Sequence, residues 1–240
     1  MSDKKIVIVG ATSGIGAALA STYAHAGWIV GATGRRAELL ETLKAEFPNS
    51  IFTRPHDVTA SDSISILEDL VREMNGVDVI VYNSGIGIYN KNLEWHPERD
   101  TIAVNVSGFT EIAIWAFRYF RQRGSGHFVG VSSVAAERGN GKAPAYNASK
   151  AFMANYMEGL RQQAFHSKKD IFITDIRPGF VDTPMTNQNK GMFWVAQAGV
   201  AARQIMSAID RKKRVAYVTR RWALVAWLIR RVPRWVYEKL

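Results

Sequence analysis

Tyr146-Asn147-Ala148-Ser149-Lys150 sets a phenol and an ammonium four residues apart, one turn from each other on the same face of a helix. A phenol exchanges protons poorly near neutrality, because its unperturbed pKa is about 10. A neighbouring ammonium favours the phenolate and brings the group towards a useful range, so the pair suits general acid–base work. Tyr-x-x-x-Lys is common by chance. Here it follows Ser132-Ser133, hydroxyls able to donate to a developing oxyanion, and the chain opens on a glycine-rich segment at Gly10.

These residues need elements to hold them. Lys5-Ile6-Val7-Ile8-Val9 reads as a buried β-branched strand. It runs into Gly10-Ala11-Thr12-Ser13-Gly14-Ile15-Gly16 and then a helical pattern on Ala17, Leu19, Ala20 and Tyr23. Strand, glycine turn and helix let backbone approach a pyrophosphate at an open helix N-terminus. Further strands are expected at 28–33, 51–54, 77–82, 127–132, 170–176 and 214–218, and helices at 15–26, 36–46, 61–74, 98–123, 144–166 and 193–209. The alternation predicts an α/β fold, a doubly wound parallel seven-stranded sheet with helices on both faces. Ligands of such sheets sit beyond the carboxyl ends of the strands, where strand order reverses.

Gly10-x-x-x-Gly14-x-Gly16, Asn83-Ser84-Gly85, Asn105, Ser133, Tyr146-x-x-x-Lys150 and Pro178-Gly179 together resemble the short-chain dehydrogenase/reductase family, in its order and spacing, over roughly residues 5–218. The resemblance implies a Rossmann fold and an oxidoreductase interconverting a ketone and a secondary alcohol. Tyr146 is implied as the acid/base. Lys150 would lower its pKa and hold the nicotinamide ribose. Ser133, thirteen residues before Tyr146, would donate to the substrate oxygen. Asn105 would hold a backbone carbonyl and a water that resupply the proton. Gly10, Thr12, Ser13, Gly14, Ile15 and Gly16 would cradle the pyrophosphate, and Asp57 and Val58 the adenine. Asn83 and Gly85 would close around the ribose, while Pro178, Gly179, Val181 and Thr183 hold the nicotinamide amide. Val9 and the Tyr82-Asn83-Ser84-Gly85 quartet depart from the family pattern without removing a reacting group.

The second strand bears on cofactor choice. It ends Ala32-Thr33-Gly34-Arg35-Arg36, with no carboxylate to accept from a ribose 2′-hydroxyl. Two guanidiniums suit a 2′-phosphate, so NADP(H) is expected over NAD(H), with Arg35 as the contact. Beyond the sixth strand, Met185, Met192, Phe193 and Trp194 flank Asn187-Gln188-Asn189-Lys190, the pattern of a mobile lid or of ordinary core packing. The five histidines are scattered without ligand spacing, and no metal is expected.

At 240 residues and 47% apolar the chain can bury one large core, and it has no cysteine for disulfides or thiolate chemistry. The first strand follows Met1-Ser2-Asp3-Lys4 directly, so no signal peptide is expected, and the protein reads as cytoplasmic. Residues 211–240 hold ten of the 31 Lys/Arg against one acid, Glu238, leaving 21 basic and 20 acidic residues before them. The expected division is a catalytic unit over 1–218 and a basic amphipathic helical extension over 219–240. On a helical projection Trp222, Val225, Ala226, Ile229 and Val232 share a face, Arg220, Arg230 and Arg231 lie opposite, and Pro233 divides the helix. Two readings stand. The tail lies on an anionic membrane surface, peripherally on its inner face, and the substrate is then lipid-like; or it packs over the substrate cleft or on a sister subunit. Nucleic acid fits poorly. The helices near 98–123 and 144–166 imply a homo-oligomer by resemblance. A non-catalytic dinucleotide-binding or redox-sensing protein on the same fold is the alternative function, and it has no need of Asn105, Ser133, Tyr146 and Lys150 together.

Overall fold

The computed structural model describes residues 4–186 and 191–239. Lys5–Val9 (β1) is buried from Ile6 onward, as a central parallel strand must be. Alternation sorts its side chains: Ile6 and Ile8 enter one apolar layer, Val7 and Val9 the other. Gly14–His25 (α1), Ala37–Glu46 (α2) and Ala198–Asp210 (α7) cover the first face. Ser63–Glu73 (α3), Phe109–Arg123 (α5) and Pro144–Ser167 (α6) cover the second. The remaining main strands are Ile29–Gly34 (β2), Ile51–Pro55 (β3), Val79–Tyr82 (β4), Ser125–Val131 (β5), Asp170–Pro178 (β6) and Val215–Val218 (β9). All seven are parallel, in the order β3-β2-β1-β4-β5-β6-β9, so the sheet reverses direction of growth between β1 and β4. The doubly wound seven-stranded sheet expected from the sequence is what forms.

Two helices differ from expectation. The one expected from 98 begins at Trp95–Ile102 (α4) and passes through a π-helical segment, Ala103–Gly108, before α5. There the Val104 carbonyl accepts from the Tyr82 hydroxyl at 2.6 Å, and Gly108 lies against Val58, where a Cβ would stand 2.7 Å from the Val58 carbonyl oxygen. These long-range contacts leave little trace in a local sequence pattern. The helix expected from 193 begins only at Ala198, because Ala196–Gln197 (β8) pairs with Val181–Asp182 (β7) in a small second sheet.

At the end of the chain, Trp222–Arg231 (α8) and Arg234–Tyr237 (α9) are divided by Pro233, with Val232 held extended before it, as an X-Pro step requires. Trp222 and Ala226 are buried against the body, with Val225 packed beside them. Arg230, set opposite the apolar face by the projection, stays half-exposed but is not free: it donates to the buried Glu137 carboxylate and reaches the Tyr217 hydroxyl at 3.1 Å. Arg138 donates to the carbonyls of Ile229 (3.3 Å) and Val232 (3.0 Å) at the C-terminus of α8, where unpaired carbonyls attract a cation. Among the described residues no helix is long and apolar enough to cross a membrane.

Candidate active site

The turn after β1 needs its glycines. Gly10 has φ +94°, and a Cβ there would stand 2.6 Å from the Ser84 backbone nitrogen. Gly16 lets α1 close on the turn, since its Cβ would be 2.0 Å from the Gly10 carbonyl oxygen. Gly16 is therefore a packing residue beneath the cleft. All the other residues named for the cofactor line one cleft, among them Thr12, Asp57, Asn83, Val181 and Thr183. Asn83 supports the turn by donating to Gly10 at 2.7 Å. Asp57 accepts from the Thr59 N–H and hydroxyl, and those bonds, with Arg35 nearby, hold its carboxyl below the usual range despite burial.

Beside Arg35, the contact the sequence favours, Arg36 also lines this cleft. Its guanidinium donates to the Thr12 hydroxyl at 2.7 and 3.2 Å and to the Ser13 hydroxyl at 2.7 Å. The two hydroxyls are the signal that could have found it, since they sit on the turn that β2 abuts. Ser13 caps α1 by backbone geometry with no side-chain bond, so its hydroxyl is not spent on the helix. Two guanidiniums, two hydroxyls, an open helix N-terminus and a backbone bare of Cβ atoms make a donor set that fits a phosphorylated dinucleotide.

α6 starts on Pro144, whose missing N–H costs nothing at a first helical position, and carries Tyr146 and Lys150 one turn apart into the cleft. Lys150 is buried; its ammonium donates to the Val131 carbonyl at 3.0 Å and stands 5.8 Å from the Tyr146 ring centroid. Burial pushes the Lys150 pKa down to about 8, with Asp175 opposing. Tyr146 differs from expectation. Burial pushes its phenol up, opposed by the Ser133 hydroxyl and reinforced by Tyr89, so the group is a protonated phenol at neutral pH. Desolvation outweighs any help from an ammonium turned towards Val131.

The adjacent serines separate cleanly. Ser132 is buried and donates to the Asp175 carboxylate and, at 3.2 Å, to the Ile176 carbonyl. Ser133 accepts from the Ala135 N–H at 3.0 Å and faces the cavity beside Tyr146. Asn105 clamps the backbone of Ile86, accepting from its N–H at 3.0 Å and donating to its carbonyl at 2.8 Å. It also donates to Ser149 at 3.0 Å. That clamp holds the Gly85–Gly87 strip, where a Cβ on Gly87 would stand 2.9 Å from the Tyr146 ring.

A second cavity, of about 630 Å3, adjoins the cleft and shares Tyr146, Pro178, Gly179, Met185 and Thr186 with it. Its other walls include Tyr89, Phe180, Phe193, Trp222, Val225 and Ile229. The last three come from α8 and were not named as site residues. Their i, i+3, i+7 spacing was the available signal. Gly179 allows the approach, since a Cβ there would stand 2.0 Å from the Trp222 ring. Of the expected lid, Met185 and Phe193 line this cavity; Asn187–Lys190 lie outside the described residues.

The family model for the short chain dehydrogenase matches residues 4–192. The chain belongs to the short-chain dehydrogenase/reductase family. It is an NAD(P)-dependent oxidoreductase of that family. An uncharacterized oxidoreductase of Myxococcus xanthus (strain DK1622) is 36% identical over 195 residues, covering 79% of this chain and 76% of that one. Among solved structures, a short-chain dehydrogenase from Sphingobium yanoikuyae in complex with NADPH has a TM-score of 0.80 at 20% identity, covering 96% of this chain and 97% of that one. A 3-ketoacyl-(acyl-carrier-protein) reductase from Brucella melitensis complexed with NADH has a TM-score of 0.81 at 21% identity, over 89% and 95% of the chains. At these identities the two structures speak for the fold.

Proposed function

We propose that the protein is an NADP(H)-dependent reductase that converts an apolar ketone to a secondary alcohol, with Tyr146 as the proton donor. The observation that carries this reading is that Tyr146 lines both the cofactor cleft and the apolar cavity, with Ser133 beside it in the cavity and Lys150 in the cleft. The cofactor, when bound, supplies the hydride. The side chains do the rest. The Tyr146 phenol, kept protonated by burial, gives its proton to the oxygen on which charge develops. Ser133 donates a hydrogen bond to the same oxygen. Lys150 supplies positive charge beneath them and holds the ribose hydroxyls, and Asn105 fixes the strip against which Tyr146 packs. Gly10, Thr12, Ser13, Gly14 and Ile15 hold the pyrophosphate. Asp57, Val58, Asn83 and Gly85 hold the adenosine, and Pro178, Gly179, Val181 and Thr183 the nicotinamide amide.

The preference for NADP(H) rests on Arg35 and Arg36 and on the absence of a carboxylate at the end of β2. Solved structures of this fold carry NADP(H) in some cases and NADH in another, so this chain's own donors decide the choice. An apolar substrate is supported by walls of Phe180, Phe193, Trp222, Val225 and Ile229. Half-exposed Ile102, Ile114 and Phe152 and exposed Phe165 on α4, α5 and α6 support a homo-oligomer, and the basic tail supports peripheral association with an anionic membrane surface. The test is NADPH oxidation against a panel of short and long-chain ketones. Turnover rising with chain length supports the reading, whereas tight NADPH binding with no turnover of any ketone would favour a dinucleotide sensor.

A further inference from the structure

α8 is apolar on two sides. Its inner side, Trp222, Val225, Ala226 and Ile229, is used on the body and the cavity wall. Half a turn round, Leu224, Trp227 and Leu228 are 57%, 49% and 50% exposed, and the 3.6-residue period sets Arg231 among them. A helix apolar all round is normally buried all round, and ten residues are too few to cross a bilayer. The outer stripe therefore calls for a cover.

Its surroundings say which. Trp235, beyond Pro233, is 68% exposed. Three exposed indoles carry a cation over the ring: Arg231 over Trp227 at 4.0 Å, Arg221 over Trp194 at 5.1 Å, and Lys239 over Trp235 at 5.9 Å. Within residues 219–239 Glu238 is the only acid, while Arg220, Arg221, Arg231, Arg234 and Lys239 are exposed. A second copy of this chain is a poor cover, because an isologous contact would set these cations against their own equivalents. An anionic bilayer offers apolar depth for Leu224, Trp227 and Leu228 and negative headgroups for the arginines. The opposite walls of the cavity also end in exposed apolar groups, Tyr89 from one segment and Met185 and Phe193 from another.

We propose that the outer stripe of α8, with Trp235, docks on an anionic lipid surface, and that the cavity on the inner side of the same helix is filled from that lipid. The second half rests on the ketone-reductase reading above. It makes α8 a partition one helix thick between bilayer and active site. It also differs from a simple amphipathic tail, since the face that meets lipid is the one opposite the packed face.

The test uses full-length protein and the exposed double variant Leu224→Ser/Leu228→Ser, co-sedimented with phosphatidylglycerol vesicles and with neutral phosphatidylcholine vesicles. The wild type is expected to bind the anionic vesicles and leave the neutral ones. The variant should partition roughly tenfold or more weakly, having lost its apolar insertion. Its NADPH oxidation with a short water-soluble ketone should be unchanged, and its turnover of a long-chain ketone dissolved in the vesicles should fall by a similar factor. Equal vesicle binding by variant and wild type overturns the docking surface. Loss of a dimer in sedimentation velocity, with no effect on vesicle binding, assigns the stripe to a second copy instead. Lost vesicle binding with undiminished turnover of the vesicle-borne ketone overturns entry from lipid. If the wild type turns over no ketone at all, the reductase reading and entry from lipid both fail, while the vesicle data still decide the docking.

Discussion

Replacing Trp222 by alanine should release α8 from the body without unfolding the sheet. Trp222 is 4% exposed, with ring centroids 5.3 Å from Phe180, 5.1 Å from Phe193 and 6.3 Å from Trp194. Deleting a buried Trp typically costs about 3–5 kcal/mol. Two features lower that here. The ring belongs to a small satellite cluster with Val134 and Ala226, one side of it facing the cavity. Its indole N–H is buried with no partner among the described residues, an orphan that costs about 1–3 kcal/mol and disappears with the ring. The net loss comes to about 2 kcal/mol, or about a thirtyfold shift in the opening of α8. Limited trypsin digestion reads that opening at Arg220, Arg221 and Arg231. Cleavage there should accelerate by about the same factor when opening is faster than cutting, with the melting of the body little changed. KM for an apolar ketone should rise while NADPH affinity stays. Trp222→Phe, which keeps a ring and removes the orphan N–H, should stay within about 1 kcal/mol of wild type. Tail cleavage in Trp222→Ala no faster than in wild type would refute the packing argument, and with it the role of α8 as a cavity wall.

Three further outcomes follow from the site. Arg36→Ala and Arg35→Ala should each weaken NADPH binding by about 1.5–3 kcal/mol and leave NADH binding nearly unchanged, as titration of both nucleotides would read; a wild type that prefers NADH reverses the cofactor choice. Lys150 has a pKa depressed to about 8, so its charge is present below that pH and lost above it. Ketone reduction should therefore fall as pH rises through about 8, and a flat profile to pH 10 contradicts a charged Lys150 in the mechanism. Glu137 is held below its usual carboxylate range by Arg230, Tyr217 and Arg177 against the cost of burial. Its stabilisation of α8 is thus present above the ordinary carboxylate pKa and lost as pH falls through the depressed one. Glu137→Gln should reproduce the acid effect at neutral pH, seen as faster tail proteolysis.

The sheet was legible because apolar, β-branched-rich runs of four to nine residues between turn signals have few other uses, and Gly10-x-x-x-Gly14-x-Gly16 marked the end of the sheet where the cleft opens. The gathering of Tyr146, Lys150 and Ser133 at the junction of cleft and cavity was legible for a related reason: they sit at a strand end and in the first turns of a helix, where local pattern sets direction. What was not legible depends on contacts far apart in the chain. Arg36 bonds across 24 residues to Thr12, and Arg230 finds Glu137 across 93. A helical projection ranks the faces of α8 but cannot say that Glu137 waits on one of them. The pKa of Tyr146 was misjudged for a similar reason. Spacing gave the ammonium's proximity, whereas the depth of burial is a property of the whole fold.

The central claim is that Tyr146 delivers the proton at the junction of cleft and cavity, and Tyr146→Phe tests it most directly. The substitution removes one oxygen and keeps the ring against Gly87, so the site should keep its shape. With NADPH and the best ketone of the panel, stopped-flow turnover should fall by about 10²–10⁴-fold, the usual contribution of a positioned acid, while NADPH affinity stays within about twofold of wild type. Turnover close to wild type with NADPH still bound would show that another group supplies the proton, and would contradict the account.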